Sequence, residues 1–420
     1  MTESVEQKPR RKGWKIAVIA AVCVLAAAGG IGAATAPSWA GGGASNSQPT
    51  TSAQAGASST ASATPSVPVL PLSVVVSPAD GAKQVNPITP VQITATNGSI
   101  KYAVLSNALT GESVDGVVSA DGTTWKASGL LKFNTQYKLS YSALDGAKQE
   151  TTGSQTFSTV SSANEANAAT YTPDGSTVGV GQPVQIDFSE PVINKEAVEK
   201  AIKITTTAGQ VGAFHWYSNT MVRYRPEAFW AANSTISVAM NLYGVDLGNG
   251  QIGNFNKTVS MKVGDKKLIV ADGNTHQAQV YVNDQLVRTM PITMGDTTFP
   301  SASGYQVMME KQQRALFVAS TIGLKPGAPG DYGQVWVNNA IRLTTSGQFM
   351  HEATPTGMSV LGVENASHGC IGLSEADSSW VFANFGTGDM VQVFNSGNTV
   401  APPTDGFGDW NIPWAQYGSR

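Results

Sequence analysis

Short runs of alternating apolar and polar residues, separated by turn residues, recur from residue 72 to residue 394 of this 420-residue chain. Alternation with a period of two puts every second side chain on one face of a β-strand. Asp121-Gly122 and Asp145-Gly146 are two of the turns, and Gly adopts the left-handed backbone conformations that tight turns need. The chain is therefore predicted to be mainly β.

Two similar domains are predicted in the first part of this region. Residues 71–160 and 161–265 each carry the alternating pattern over about the length of an immunoglobulin-like domain. Strands at this spacing predict an antiparallel β-sandwich in each range. Residues 195–203 have the composition of a short helix, and His215 lies in an aromatic run where we expect a structural role. Because neither domain contains a cluster of titratable residues, both are predicted to act as spacers or docking surfaces.

A third domain is predicted over residues 266–396, mostly β with one or two short helices. The Asn-Asp pair at 283–284 marks a hairpin turn. A helix is predicted over residues 374–385, because Ser374 can cap its N-terminus while Asp377 occupies the third helical position. The one clear helix therefore follows the region that carries the candidate chemistry.

The two ends of the chain lie outside these domains. Residues 1–13 form a basic segment, and residues 14–36 form an anchor or signal segment whose apolar run, from about Ile16 to Ala36, is just long enough to cross a bilayer as a helix. The positive-inside rule then predicts a cytoplasmic N-terminus and domains outside the cytoplasm. Residues 37–70 carry no charge and are rich in Gly, Ser, Thr, Ala and Pro, which predicts a flexible linker. Residues 397–420 are predicted to be a tail that packs on the domains.

The apolar segment leaves two localisations open. If it stays in place, the protein is a single-pass protein of the cell membrane with its domains outside the cytoplasm. A cleaved signal peptide is the alternative, because Ser38-Trp-Ala40 resembles a small-x-small cleavage site. In that case the protein is secreted to the cell wall.

Cysteine usage points to one candidate nucleophile. The chain has two cysteines, and Cys23 lies inside the N-terminal apolar run, so Cys370 is the one thiol of the exported part. It cannot form an intramolecular disulfide there. A thiol attacks well only as thiolate, and a nearby His can accept its proton. His351 and His368 are the candidates, and His351 is favoured because residues two apart in a strand share a face without their tips having to meet.

Two other classes of function are disfavoured. Charged residues make up 13% of the chain, the net charge is −3, and no basic patch appears, so nucleic acid is not predicted as a partner. His351-Glu352 begins like the zinc motif H-E-x-x-H, but the second His is absent and Pro355 interrupts the helix that this motif requires. No metal site is predicted. A buried structural Cys beside two incidental histidines stays open as an alternative.

The stretch Ser367-His-Gly-Cys370, with His351 upstream, resembles the signature of the L,D-transpeptidases with a YkuD-type catalytic domain. Tandem immunoglobulin-like domains before it resemble the mycobacterial and related actinobacterial branch. Three further stretches support this resemblance, and they begin at Asn241, at Gly388 and at Asp405.

The resemblance implies a reaction and a set of roles. Cys370 would attack the peptide bond between the diamino acid and the D-Ala of a peptidoglycan tetrapeptide stem, release D-Ala and form a thioester. An amine of a second stem would then attack and give a 3→3 cross-link. His351 would be the base, oriented by a backbone carbonyl at position 352, and His368 would shape the site. Tyr332 would be a lid tyrosine near the oxyanion. Carbapenems would acylate the thiol, and no cofactor is implied.

Four positions are predicted to bind substrate or an oxyanion: Ser367, Gly369, Gly372 and Tyr332. Gly369 allows a tight backbone turn, so its amide and that of Cys370 can point at an oxyanion, and Ser367 flanks them. Gly372 departs from the Asn or Arg usual for the family. Glu352 also departs, since Gly or Ser usually follows the base, and its carboxylate is expected to raise the pKa of the neighbouring imidazole.

Alternative functions stay open for these residues. Water or a protein amine as acyl acceptor would give an L,D-carboxypeptidase or a protein-to-wall anchoring enzyme of the same fold. A catalytically lapsed wall-binding protein is the alternative from a different class, and the departures at Gly372 and Glu352 are what would favour it.

Overall fold

The structure is a computed structural model that describes residues 70–397 and 399–418. The predicted segments 1–13 and 14–36, and the linker 37–70 apart from its last residue, lie outside these ranges. Within the described ranges, no helix is long and apolar enough to cross a membrane.

The first domain is a β-sandwich. Its strands are β1 (Ser73–Ser77), β2 (Ala82–Val85), β3 (Gln92–Thr96), β4 (Gly98–Asn107), β5 (Ser113–Val114), β6 (Gly116–Val118), β7 (Thr124–Ala127), β8 (Gln136–Asp145) and β9 (Glu150–Thr159). They form two sheets, in the orders β1-β3-β7-β6 and β2-β9-β8-β4-β5. Apolar side chains such as Trp125, Leu139 and Phe157 fill the space between the sheets.

The second domain is also a sandwich. Its elements are β10 (Glu165–Ala166), β11 (Ala168–Thr170), β12 (Thr177–Val178), β13 (Val184–Phe188), α1 (Lys195–Ala201), β14 (Ile202–Thr206), β15 (Gly212–Trp216), β16 (Met221–Pro226), β17 (Thr235–Asn241), β18 (Asp246–Gly248), β19 (Gln251–Gly253) and β20 (Asn256–Val263), after a 3-10 turn at Ser162–Asn164. The sheets run β11-β13-β16-β15, β12-β20-β17-β14 and β10-β19-β18. Pairing is not antiparallel throughout, because β2, β10 and β12 each pair in parallel with a neighbour.

The third domain is built on one nine-stranded sheet. Its elements are β21 (Lys267–Asp272), β22 (Gln277–Val282), β23 (Gln285–Thr293), β24 (Gly304–Val307), β25 (Lys311–Val318), β26 (Gln334–Arg342), β27 (Phe349–Glu352), α2 (Pro355–Ser359), β28 (Ile371–Leu373), α3 (Glu375–Asn384) and β29 (Met390–Phe394), with a 3-10 turn at Ala319–Ile322. The strand order is β24-β29-β21-β22-β23-β28-β27-β26-β25.

Two local sequence signals in this domain are confirmed. Ser374 caps α3 by accepting a hydrogen bond from the Asp377 amide at 3.0 Å, and residues 283–284 form the turn between β22 and β23. β26 is a single strand from Gln334 to Arg342. Asn339 interrupts its regular pairing with a positive φ of 54°.

The C-terminal tail joins the second and third domains. It contains a 3-10 turn at Asp409–Asn411 and the short helix α4 (Trp414–Tyr417). Trp410 donates a hydrogen bond to the Gly181 carbonyl at 2.7 Å, and His215 stacks on Tyr417. His215 is thus a packing residue. Apolar residues of the second and third domains and of the tail form one continuous core, so the nine-stranded sheet packs against the second sandwich.

Candidate active site

Strand pairing brings the candidate nucleophile and base to one face of the sheet. β27 and β28 are parallel, and His351 lies directly opposite Gly372. Residues two apart in a strand share a face, so Cys370, two positions before Gly372, faces the same side as His351. Both side chains are buried and line a cavity of about 780 Å³. His368, Ser367, Tyr332 and Gly372 line the same cavity, which has the size of a small-molecule site.

The imidazole of His351 is held in one tautomer. Its Nδ1 lies 2.6 Å from the carbonyl oxygen of Glu352. A carbonyl can only accept, so Nδ1 carries the proton and Nε2 has a free lone pair. The orienting group is therefore the main-chain carbonyl at position 352, as the family resemblance implied.

Burial controls the charge of this histidine. Burial lowers the pKa of His351, and the hydrogen bond and charge of Glu352 only partly oppose that effect. The expected increase in pKa from the neighbouring carboxylate is thus outweighed. The Glu352 carboxylate accepts a hydrogen bond from Asn338 at 3.0 Å instead of contacting the ring. His351 is neutral at physiological pH and is suited to accept a proton.

The thiol of Cys370 is also neutral in the free protein. Burial raises its pKa to about 11, and a hydrogen bond involving the Phe349 backbone only partly offsets this. Its Sγ faces the carbonyl oxygen of Gly347 at 4.0 Å. Within the described part of the chain, no hydrogen bond connects Sγ to His351. The resting pair is thus a neutral thiol and a neutral imidazole.

Gly369 shapes the turn before the nucleophile. Its φ of 107° is a conformation that favours Gly, which agrees with the tight turn predicted there. Ser367 Oγ donates to the Cys370 carbonyl at 2.6 Å and accepts from the Gly369 amide at 3.2 Å, while Ser301 Oγ donates to the Gly369 carbonyl at 2.8 Å. In this arrangement the Gly369 amide is occupied, and its predicted role toward an oxyanion stays a prediction.

His368 forms part of the wall of the site. Its Nε2 donates to the Gly330 carbonyl at 2.7 Å, and its ring stacks on Phe299 with centroids 4.7 Å apart. Tyr332 packs edge-on against His368 at 5.1 Å. Burial, followed by the nearby Cys370, raises the pKa of Tyr332, so its hydroxyl stays protonated and able to donate beside the nucleophile.

Gly372 is accommodated by its neighbours. A Cβ at this position would lie 2.8 Å from Thr293 Cγ2 and 3.2 Å from the Ala353 Cβ. Thr293 is 1% exposed, and its hydroxyl donates to the Glu364 carbonyl at 2.8 Å, so it cannot easily move. The space that the Cβ of an Asn or Arg at position 372 would need is thus filled by the methyl group of Thr293.

The described residues contain no cluster of metal ligands. Over residues 70–397 and 399–418, no group of three or more His, Cys, Asp or Glu side chains is placed to hold a metal ion.

Two residues near the site were not identified from sequence. Arg342 lines the cavity, and Asp405 in the tail binds the turn at 345–347. Arg342 and Phe349 flank that turn and pair across the hairpin. The alternating sequence pattern on the two sides of the turn could therefore have identified Arg342 from sequence. For Asp405, the sequence suggested only a packing role for the tail.

Comparisons with known proteins agree with this architecture. Residues 82–246 match the bacterial Ig domain family, and residues 266–393 match the L,D-transpeptidase catalytic domain family, known as YkuD. The chain is 37% identical over 354 residues to L,D-transpeptidase 2 of Mycobacterium tuberculosis (strain CDC 1551 / Oshkosh), covering 84% of this chain and 86% of that protein. It is 29% identical to L,D-transpeptidase 5 of M. tuberculosis (strain ATCC 25618 / H37Rv), covering 80% of this chain and 74% of that protein.

Among solved structures, an L,D-transpeptidase from Mycobacterium smegmatis is 31% identical, with a TM-score of 0.46, and the match covers 55% of this chain and 99% of that chain. With an identity of 37% over most of both chains, and with Ser367-His-Gly-Cys370 beside His351 in one cavity, this chain belongs to the L,D-transpeptidases and is a cysteine acyltransferase of that family.

Proposed function

We propose that this enzyme forms 3→3 cross-links between peptidoglycan stem peptides through a thioester on Cys370. The donor is a tetrapeptide stem that ends in a diamino acid and D-Ala, and the acceptor is the side-chain amine of a second stem. The observation that carries the proposal is the common face of Cys370 and His351, with the Nε2 lone pair of His351 free to accept the thiol proton.

The neutral resting pair sets the order of proton transfer. A thiol with a pKa near 11 beside a histidine with a lowered pKa is a poor source of stable thiolate. The thiol proton therefore moves to His351 Nε2 as Sγ bonds to the scissile carbonyl carbon. The imidazolium then gives this proton to the amine of the departing D-Ala, as the C–N bond breaks and the thioester remains.

The second half-reaction reverses these roles. The acceptor amine attacks the thioester carbonyl and gives a proton to His351 Nε2. The tetrahedral intermediate then collapses, the C–S bond breaks, and the proton returns to the sulfur. Water in place of the amine would make the enzyme a carboxypeptidase, so exclusion of water from the cavity decides the outcome.

Two donors beside the thiol support stabilisation of the oxyanion. The Tyr332 hydroxyl stays protonated and lines the cavity, and the Cys370 amide follows a glycine in a left-handed conformation. Preorganised donors of this kind are worth about 2.7–4 kcal/mol each in acyl transfer. We assign the oxyanion to these two groups, while Ser367 holds the turn.

The protein is also proposed to act outside the cytoplasm, at the membrane or in the wall. The apolar sequence at 14–36 and the uncharged stretch at 37–70 support this location. The same two segments would let the catalytic domain reach the wall from the membrane surface.

Intact-mass measurement on the full chain with a disaccharide-tetrapeptide tests the function. An acyl-enzyme that lacks D-Ala, together with a dimeric product, is expected for the unmodified protein and not for Cys370→Ala. If the acyl-enzyme forms and tripeptide is the only product, the enzyme is a carboxypeptidase that hydrolyses the thioester, and not a transpeptidase. A folded protein that gives neither adduct nor product would indicate a lapsed catalytic domain that binds the wall.

A further inference from the structure

One Arg side chain, that of Arg342, brings a full charge to the wall of the cavity around Cys370. Among the described residues that line it there is no Asp or Glu, and Arg342 is the one Lys or Arg. A fixed positive charge at the wall of a partly desolvated cavity attracts anionic groups of a ligand more strongly than it would in water.

Arg342 is aligned with the nucleophile across the sheet. It pairs with Phe349 between β26 and β27, and Phe349 precedes the pair formed by Met350 and Ile371, which places it opposite Cys370. Two strand spacings separate Arg342 from Cys370, or about 10 Å between their Cα atoms. The guanidinium carbon lies 4.4 Å from the centre of the Phe349 ring, so the cation covers the side chain next to the thiol.

The guanidinium keeps hydrogen-bonding capacity for a ligand. Its Nε donates to the Glu310 carboxylate at 2.9 Å, and Nη1 makes a longer bond of 3.3 Å to the Thr344 carbonyl. Five N–H groups are present, and over the described residues Nη2 has no hydrogen-bond partner. Glu310 is half-exposed, and ion pairs of that kind are weak, so it orients the guanidinium without strongly competing for it.

We propose that Arg342 binds a carboxylate of the donor stem peptide and so selects stems that carry a free acid next to the scissile bond. This inference rests on the proposed function. The stem offers two such groups, the C-terminal carboxylate of D-Ala and the distal carboxylate of the diamino acid. Both carry the same charge and planar geometry, which a guanidinium binds with two parallel hydrogen bonds.

Matched donor stems distinguish the two carboxylates. Three tetrapeptide stems are compared: the free acid, the C-terminal D-Ala amide, and the stem amidated on the diamino acid. The acylation rate of the full chain is measured by intact mass for the unmodified protein, Arg342→Gln and Arg342→Lys. Arg314→Gln is the control, because Arg314 is exposed, stacks on Trp336 at 4.7 Å and does not line the cavity.

The expected result is a loss of discrimination. One of the two amides should acylate the unmodified protein about 10- to 100-fold more slowly than the free acid. Arg342→Gln should slow the free acid by a similar factor and treat that amide and the free acid alike. Arg342→Lys should keep part of the preference, and Arg314→Gln should keep all of it. The amide that Arg342→Gln no longer distinguishes from the free acid identifies the carboxylate that Arg342 binds.

Two results would overturn the inference while the proposed function stands. One is equal acylation of all three stems by the unmodified protein. The other is an Arg342→Gln variant that slows all three stems by the same factor, which indicates a role in the shape of the cavity. If the unmodified protein, folded by circular dichroism, forms no acyl-enzyme with any stem, the proposed function itself fails.

Discussion

The carboxylate of Asp405 accepts two hydrogen bonds from Ser346, one from its amide at 2.6 Å and one from its hydroxyl at 2.5 Å. The Thr345 hydroxyl adds a third at 2.6 Å. The turn they fix continues into Gly347, whose carbonyl faces the Cys370 thiol. The C-terminal tail therefore holds one wall of the active site, although it lies outside the catalytic sheet.

Asp405→Asn should weaken this wall. Burial raises the pKa of Asp405, but the hydrogen bonds from Ser346 and Thr345 outweigh it and leave the pKa below its ordinary value. Hydrogen bonds to a charged acceptor are stronger than those to a neutral amide. We expect the free energy of unfolding to fall by about 1 kcal/mol and the acylation rate to fall about 5-fold, measured by denaturant titration and intact mass.

A carboxylate far from the active site provides the control for that change. Asp174 accepts the Ser260 amide at 2.8 Å in the second sandwich, so Asp174→Asn removes a charged acceptor without touching the cavity. It should affect stability alone. Equal acylation rates for Asp405→Asn and Asp174→Asn would show that the tail does not position the turn.

Gly372→Asn should be destabilising, although Asn is common at this position in the family. Its Cβ would lie 2.8 Å from the buried methyl of Thr293, and overpacking of this kind costs about 1–3 kcal/mol. The double variant Gly372→Asn with Thr293→Ser removes that methyl and keeps the hydroxyl that bonds Glu364. The midpoint of thermal unfolding should be lower in Gly372→Asn and should rise again toward that of the unmodified protein in the double variant. A single variant as stable as the unmodified protein would refute this account of the packing.

The reactivity of Cys370 should rise only at high pH. Its folded pKa of about 11 lies above the ordinary value for a thiol, so the folded protein binds this proton more tightly than the unfolded chain. The contribution of this bound proton to the free energy of unfolding is fully present below about pH 8.5 and is lost as the pH rises through about 11. Alkylation by iodoacetamide should therefore be slow at pH 7 and accelerate above pH 9. Rapid alkylation at pH 7 would indicate a thiolate–imidazolium pair instead.

Acylation should persist at mildly acidic pH because His351 must be neutral to act as base. Burial lowers its pKa below the ordinary value, so the acid limb of kcat/KM should have its midpoint below about pH 6.5. His351→Gln should reduce kcat/KM by about 10²–10⁴-fold. His276→Gln is the control, since His276 does not line the cavity. An acid limb at or above pH 6.5 would contradict the neutral resting pair.

Sequence was most informative where structure depends on near neighbours. Ser374 and Asp377 are three residues apart, and their capping hydrogen bond was predictable from spacing alone. The turn at 283–284 was equally local. Cys370 was identifiable as a candidate because its chemistry and its isolation are properties of the sequence.

Contacts between distant segments were the part that sequence could not supply. The common face of His351 and Cys370 depends on the register of β27 against β28, and no local signal fixes the register of two parallel strands joined by a long connection. Asp405 and Ser346 are 59 residues apart. The tail sequence is consistent with simple packing, and only the folded chain shows that its carboxylate reaches the active-site turn.

The last prediction concerns the ion pair that anchors this tail. Asp409 is fully buried and bonds Arg223 at 2.8 Å, while the hydroxyls of Tyr217 and Tyr417 donate to the same carboxylate at 2.8 and 2.9 Å. Asp409→Ala would leave a buried cation unpaired, which costs about 3–5 kcal/mol. Asp409→Asn should cost less because its amide oxygen still accepts a hydrogen bond.

Denaturant titration of these variants tests whether the tail is part of the folded core. Glu196→Ala is the matched control, because it breaks an exposed pair with Lys200 and should change the unfolding free energy by less than about 0.5 kcal/mol. The acylation rate of Asp409→Ala should also fall, since the same tail carries Asp405. If Asp409→Ala lowers the free energy of unfolding by less than about 1 kcal/mol, water reaches Arg223 in the variant and compensates its charge, and the ion pair does not anchor the tail.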